Sequence, residues 1–288
     1  MIGALRRHWP EYLMEAALLG SFMISASLFA SLLEFPGSPV HQAIPHPTLR
    51  RALMGVAMGL TAIGLVYSPW GSRSGAHFNP ALTLAFHRLG MVAPADAVWY
   101  TVAQFAGGVA GMLVALALLG VPLAHPAVHY VATWPRGGAV AAFGAETVIS
   151  FGLMLAVLTV SNRREIARWT GVCAGLLVAL YITLEAPISG MSMNPARTFA
   201  SAFVGHTWTG WWIYFTAPPL GMLLATEVYR RWRGARALFC AKLYHPSGVR
   251  CIFCEHRSSS PDALSVPERG NEERRVVPPL PKGEGDRG

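Results

Sequence analysis

The sequence GAHFNPALT at residues 75–83 is matched 115 residues later by GMSMNPART at residues 190–198. Both segments contain Asn-Pro-Ala, which is typical of a helix start. Asn caps the first turn, Pro is tolerated where no N–H is needed, and Ala continues the helix. The apolar stretches that follow, about 80–88 and 195–204, are too short to cross a bilayer. The pattern therefore predicts two short helices that begin after Asn79 and Asn194.

The composition indicates that most of the chain lies in a membrane. Of the 288 residues, 53% are apolar and only 13% are charged, whereas soluble domains carry about 25% charged residues. Residues 1–233 hold 22 of the charged side chains, and the much shorter segment 234–288 holds the other 16. This excludes a soluble enzyme, a nucleic-acid binder or a disordered protein as a description of the whole chain. We expect a membrane domain at 1–233 and a polar cytoplasmic tail at 234–288, disordered from about 258.

Six apolar stretches have the length of a membrane span, at about 12–33, 49–68, 95–119, 139–160, 170–186 and 210–229. With a cytoplasmic N-terminus, three arginines fall in outside loops, namely Arg50, Arg51 and Arg136. Eleven then fall inside: Arg6, Arg7, Arg73, Arg88, Arg163, Arg164, Arg168, Arg230, Arg231, Arg233 and Arg236. The positive-inside rule thus predicts a multi-pass protein of the cell membrane with both termini in the cytoplasm.

The two halves of the chain form a repeat. Glu15 lies near the start of the first span and Glu146 near the start of the fourth. Each half has three spans, an odd number, so the second half is inverted relative to the first, as in many transport proteins. A helix start with free N–H groups cannot face hydrocarbon. We therefore predict an all-α membrane protein with six transmembrane helices and two re-entrant half-helices, which meet end to end beside a water-filled path.

These features resemble the aquaporin and aquaglyceroporin family, the major intrinsic proteins, over about residues 10–232. The resemblance is carried by both Asn-Pro-Ala triplets, by Arg197 after the second one, by Glu15 and Glu146, and by the order of the elements. It implies a passive channel with one pore in each subunit of a homotetramer and no cofactor for the channel. No nucleophile–base pair or phosphate-binding loop stands out in the membrane domain, so we do not expect an enzyme, and membrane orientation explains the basic excess better than a nucleic-acid partner does.

The resemblance places six triplet residues at the pore centre: Asn79, Pro80, Ala81, Asn194, Pro195 and Ala196. The two half-helix N-termini direct partial positive charge at this centre. Because each Asn caps its helix through the side-chain carbonyl, its NH2 group is left to bind a passing solute oxygen. We expect water to pass while cations and protons are excluded.

The same resemblance assigns a selectivity filter to Arg197, Met191, Ile182 and, on the second span, Met58 or Gly59. Strict water channels of the family carry a His where Ile182 stands, and glycerol channels carry a bulky aromatic pair; this chain has neither. Thr198 and Ala202 are more typical of water channels. The expected solutes are water and small neutral molecules such as glycerol, ammonia or peroxide.

Glu15 and Glu146 are ionisable residues inside the membrane, which is costly unless they have partners or a function. We predict that they hold the backbone of the irregular loop before each triplet, with His77 supporting the first loop. The alternative role is a proton relay, which would make the protein an ion- or proton-coupled transporter of small solutes.

The tail carries three cysteines, Cys240, Cys251 and Cys254, with His245 and His256 nearby. Disulfides are uncommon in a cytoplasmic segment. Three thiols and one imidazole make a tetrahedral zinc site, with His245 or His256 as the fourth ligand. An iron–sulfur cluster and uncoordinated thiols are the alternatives. A further alternative for the whole chain is a metal-binding regulatory protein that uses the membrane domain as an anchor.

Overall fold

The computed structural model describes residues 1–233 and 238–258, and these residues form helices and loops without a β-strand. The predicted disorder beyond 258 lies outside the described residues. The α-helices are α1 (Ile2–Glu34), α2 (Pro39–Ala43), α3 (Pro47–Tyr67), α4 (Pro69–Ser74), α5 (Pro80–Arg88), α6 (Pro94–Leu119), α7 (Val121–Ala124), α8 (Ala139–Ser161), α9 (Thr170–Ser189), α10 (Pro195–Gly205), α11 (Trp211–Arg233) and α12 (Ile252–Ser258).

The six predicted spans correspond to α1, α3, α6, α8, α9 and α11, which confirms the predicted fold class. Five of them are long and apolar enough to cross a membrane by length and composition. The sixth, α11, is not among these five. It has 23 residues, contains Pro218 and Pro219, and ends in three arginines, yet it packs along α8 like the other long helices. The first helix begins at Ile2, ten residues before the predicted start.

The helix contacts have the symmetry of an inverted repeat. The pairs α1–α6 and α8–α11 correspond to each other, and α3 packs against its counterpart α9. The two half-helices, α5 and α10, are exchanged between the halves: α5 of the first half packs against α11, and α10 of the second half packs against α6. Each half of the chain therefore completes the bundle of the other.

Glycines allow the long helices to approach closely. A Cβ atom on Gly107 of α6 would lie 2.1 Å from the backbone oxygen of Ala16 in α1. A Cβ atom on Gly59 of α3 would lie 2.6 Å from the backbone oxygen of Gly175 in α9. Small residues at such crossings are the usual way in which membrane helices gain packing contacts.

We expect Gly107→Leu to lower the free energy of unfolding by about 2 kcal/mol or more, because the added side chain separates α1 from α6. Thermal unfolding of the detergent-solubilised protein measures this change. Gly64→Leu is the matched control in α3, since no atom lies within 4 Å of its added Cβ. Equal melting temperatures for the two variants would contradict the packing role of Gly107.

Candidate functional site

The half-helices α5 and α10 begin at the centre of the bundle, each capped by its asparagine. Asn79 Oδ1 accepts a hydrogen bond from the backbone N–H of Ala81 at 2.9 Å. Asn194 Oδ1 accepts from the backbone N–H groups of Ala196 and Arg197, at 3.0 and 3.2 Å. Both caps follow the geometry expected for Asn before Pro at a helix start.

The two caps also bind each other's loops. Asn79 Nδ2 donates to the backbone oxygen of Met193 at 2.8 Å, and Asn194 Nδ2 donates to that of Phe78 at 2.7 Å. One N–H of each amide is thus used in a reciprocal contact between the halves, which sequence reasoning did not foresee. The second N–H of each amide remains for a solute, since an amide NH2 carries two donors and both asparagines line the central cavity.

The loop before α5 is held by the buried carboxylate of Glu15. Its Oε1 accepts from Ser74 Oγ at 2.7 Å and from the backbone N–H of His77 at 3.0 Å. Its Oε2 accepts from the backbone N–H of Phe78 at 2.6 Å and from Gln104 Nε2 at 2.8 Å. Four donors to one carboxylate satisfy N–H groups that would otherwise be unpaired inside the protein.

Glu146 does the same for the loop before α10. Its Oε1 accepts from Ser189 Oγ at 2.6 Å and from the backbone N–H of Ser192 at 2.7 Å. Its Oε2 accepts from the backbone N–H of Met193 at 2.7 Å. The two glutamates thus occupy equivalent places in the two repeats.

These carboxylates hold backbone conformations that L-residues rarely adopt. Phe78 and Met193, the residues before the two asparagines, have φ of 31° and 54°. Ala76 and Met191 have φ of 57° and 53°. Such strain persists only where the surroundings impose it, and here the carboxylate hydrogen bonds impose it on both loops.

His77 supports the first loop, and it also lines the cavity. Its Nδ1 lies 3.1 Å from Thr83 Oγ1 in α5, and Ser192 makes the equivalent contact with Thr198 in α10 at 2.6 Å. Its Nε2 donates to the backbone oxygen of Ala241, at 2.7 Å, in the C-terminal segment. The imidazole therefore links the loop before α5 to a segment 164 residues later in the chain.

A cavity of about 370 Å³ runs through the bundle past both asparagines. One end is lined by Glu34, Arg51, Trp134 and Arg136, which we call the far mouth. The other end is lined by Val66, His77, Val157 and Leu243, which we call the tail-side mouth.

Four of the five predicted filter residues line this cavity: Met58, Ile182, Met191 and Arg197. Gly59, the other candidate on the second span, packs against α9. The Nη1 atom of Arg197 is buried without a hydrogen-bond partner among the described residues. A cationic donor in this state is free to bind the oxygen of a solute.

Sequence reasoning missed two cationic residues of the far mouth, Arg51 and Arg136, which it assigned to outside loops. Arg51 is held by a 2.7 Å hydrogen bond from its Nε to the backbone oxygen of Thr183. Arg136 lies 4.6 Å from the ring centroid of Trp134. Arg51 stands at the start of the second predicted span and Arg136 just before the fourth, and tertiary packing decides whether residues at such positions turn inward.

Residues 238–258 pack against the bundle. Leu238, Cys240, Ala241, Leu243, Cys251, Ile252 and Phe253 are buried in one hydrophobic cluster with bundle residues such as Val66 and Val157. The backbone N–H of Leu243 donates to the backbone oxygen of Gly75 at 3.1 Å. The described part of the tail is thus packed at the tail-side mouth of the cavity.

The tail cysteines form a group with His245. One ligand atom from each of Cys240, His245, Cys251 and Cys254 lies within 4.8 Å of the others. The structure thus brings together three of the predicted ligands with His245, whereas His256 is not in this group. Hydrogen bonds with the thiols of Cys251 and Cys254, together with burial, raise the pKa of the Cys240 thiol well above its usual range.

The sequence profile of the major intrinsic proteins matches residues 9–229, and the chain belongs to this family. Members of the family are channels rather than enzymes.

Among curated relatives, the chain is 36% identical over 176 residues to a probable aquaporin NIP-type of Nicotiana alata, covering 60% of this chain and 63% of that protein. The chain thus spans about three fifths of that relative. It is 33% identical over 254 residues to aquaporin NIP2-3 of Zea mays, covering 87% of this chain and 81% of that protein.

Among solved structures, the X-ray structure of the aquaglyceroporin from Plasmodium falciparum matches with a TM-score of 0.64 at 17% identity. This match covers 77% of the present chain and 95% of the other. It confirms the fold.

We expect Glu146→Gln to lower the free energy of unfolding by about 1–3 kcal/mol, because one of the two acceptor oxygens becomes an NH2 group, which cannot accept from the backbone N–H of either Ser192 or Met193 that it then faces. Thermal unfolding of the purified protein measures the change, and Glu165→Gln, on an exposed carboxylate, is the control. A Glu146→Gln protein of unchanged stability that loses only proton-driven uptake would instead support a proton relay.

Proposed function

We propose that the protein is a passive channel that conducts water and small neutral solutes through the cavity described above. The observation that carries this proposal is the cavity itself, which passes two helix N-termini with an Asn amide at each. Backbone N–H groups at such termini and the amide N–H groups provide donors for solute oxygens at the centre of the path.

Exclusion of cations and protons follows from the charges that line the path. Arg197 lies beside the two central asparagines, and Arg51 and Arg136 line the far mouth. The positive ends of α5 and α10 add to the same field. With Met58, Ile182 and Met191 as the remaining filter residues, the walls are flexible and apolar, which suits water and small uncharged molecules such as glycerol, ammonia or peroxide.

We also propose a location in the cell membrane, with the tail-side mouth facing the cytoplasm, and assembly as a homotetramer. The arginine distribution supports the orientation. Leucines exposed along α3, α6 and α9, such as Leu60, Leu118 and Leu184, support a surface covered by lipid or by neighbouring subunits. The channel itself uses no cofactor in this proposal; the Cys/His group of the tail is treated below.

A coupled transporter is the less favoured alternative, because the central pair is formed by neutral asparagines. Glu15 and Glu146 accept hydrogen bonds from loop backbone and neighbouring side chains, and neither lines the cavity. They are therefore already engaged in holding the loops that position the asparagines.

Stopped-flow light scattering on proteoliposomes tests the channel with water, glycerol and ammonium gradients. We expect flux of water above that of protein-free liposomes, independent of a proton gradient. Residues 238–258 lie at the tail-side mouth and contain the Cys/His group. Each gradient is therefore applied with and without a zinc chelator. Absence of flux for all three under both conditions would overturn the proposal, and flux that requires a proton gradient would favour the transporter.

We expect Arg197→Ala to raise the leak of small cations about tenfold, since a unit charge ~10 Å away contributes over ~1 kcal/mol at an effective dielectric constant of ~20. We expect Asn194→Asp to act in the same direction, because it places a carboxylate at the centre. Conductance of the protein in planar bilayers measures both. Arg231→Ala, on an exposed arginine at the end of α11, is the control; cation exclusion unchanged in both variants would contradict these assignments.

A further inference from the structure

We propose that Cys240, His245, Cys251 and Cys254 bind one zinc ion, and that this ion holds residues 238–258 as a lid on the tail-side mouth. The first part defines a metal site, and the second makes zinc a regulator of conduction. The second part rests on the channel function proposed above.

The distances between the four side chains suit a tetrahedral ion. Cys240 Sγ lies 3.4 Å from Cys251 Sγ and 3.7 Å from Cys254 Sγ. Cys254 Sγ lies 3.4 Å from His245 Nε2. Zinc bonds of ~2.3 Å to sulfur and ~2.0 Å to nitrogen give tetrahedral edges of roughly 3.5–3.8 Å. The sulfur atoms are much farther apart than the ~2.05 Å of a disulfide bond.

The donor set points to zinc among the common metals. Three thiols and an imidazole are ligands of structural zinc sites, whereas calcium and magnesium prefer oxygen. Cys240 and Cys251 are buried and the other two ligands lie closer to the surface. This arrangement leaves a short path by which the ion can enter and leave.

The segment has little regular structure of its own. Between residues 238 and 251 there is no helix, and α12 has only seven residues. A segment of this length needs a cross-link to keep a defined shape, and structural zinc sites commonly supply their binding free energy to folding.

The metal ligands alternate in the sequence with the residues that contact the bundle. Ala241, Lys242 and Leu243 lie between Cys240 and His245, and Phe253 lies between Cys251 and Cys254. Fixing the ligands therefore fixes the shape of both contact segments, and losing the ion loosens both.

The contacts themselves are specific. Lys242 Nζ donates to the backbone oxygen of Ser72 in α4 at 2.7 Å and to that of Arg250 at 2.8 Å. The ring of Phe253 stacks on His77, with the ring centroids 5.3 Å apart and the planes within 5° of parallel. The backbone oxygen of Ala241 accepts a hydrogen bond from Nε2 at the edge of the same imidazole ring. The tail thus binds the loop that positions Asn79.

The lid lies where it can control access to the cavity. Leu243 is a lining residue of the cavity, and its side chain is almost fully buried at the tail-side mouth with Val66 and Val157. An apolar side chain at a narrow mouth excludes water. With the lid in place the path is narrowed at this end, and with the lid released the mouth is open.

Metal analysis of the purified full chain tests the site. We expect one zinc per chain in the wild type, with loss in Cys251→Ser and in His245→Ala. Cys173→Ser, which removes the thiol in α9, is the matched control and retains the metal. The zinc site would be overturned if the wild type contained no zinc and failed to bind added zinc, or if it carried a Cys240–Cys251 disulfide. Iron together with acid-labile sulfide would show an iron–sulfur cluster instead of zinc.

Flux and proteolysis test the lid on the same protein. We expect a chelator to raise water permeability of wild-type proteoliposomes several-fold and to speed tryptic cleavage after Lys242, which is buried in the docked lid. Added zinc reverses both effects. Because these measurements use only the wild-type protein, they do not depend on whether the variants that lack a metal ligand fold.

Phe253→Ala separates metal binding from docking, because this residue contacts the bundle but binds no metal. We expect this variant to keep its zinc and to show permeability raised to that of chelated wild type. If zinc removal and Phe253→Ala both leave permeability at the wild-type level while water still flows, the lid is wrong although the channel stands. If no variant conducts under any condition, the proposed function fails instead.

Discussion

The backbone N–H groups that precede α5 and α10 must be satisfied in the interior of the bundle, and two buried carboxylates do this. Without Glu15 and Glu146, the two loops would present unpaired donors in conformations that L-residues avoid. With them, each loop ends at a fixed asparagine. The position of the amides, the direction of the half-helices and the course of the cavity all depend on this constraint.

The described part of the tail contacts the loop before α5 at the tail-side mouth. His77 is placed by its backbone bond to Glu15 and by its contact with Thr83, and it then donates to Ala241 of the tail. A single imidazole therefore connects the loop that holds Asn79 to the segment at the tail-side mouth. The segment at the tail-side mouth and the loop before α5 are therefore joined by direct contacts.

Much of the architecture could be predicted from the sequence because it follows from local rules. Asn-Pro starts a helix, long apolar stretches span a bilayer, and an odd number of spans inverts a repeat. The choice between Met58 and Gly59 could not be made, because it depends on the rotation of α3 about its axis. The inward positions of Arg51 and Arg136 and the docking of residues 238–258 depend on contacts between distant parts of the chain, which local patterns do not encode.

The exchange of half-helices between the repeats has a consequence for biosynthesis. Because α5 packs against α11, and because Asn79 donates to Met193 of the second loop, the first repeat alone lacks the partners that fix its half-helix. A chain that has been synthesised only as far as α6 contains the three spans of the first repeat but neither the second loop nor α11. The cavity that passes both asparagines is therefore complete only when the last helix has joined the bundle.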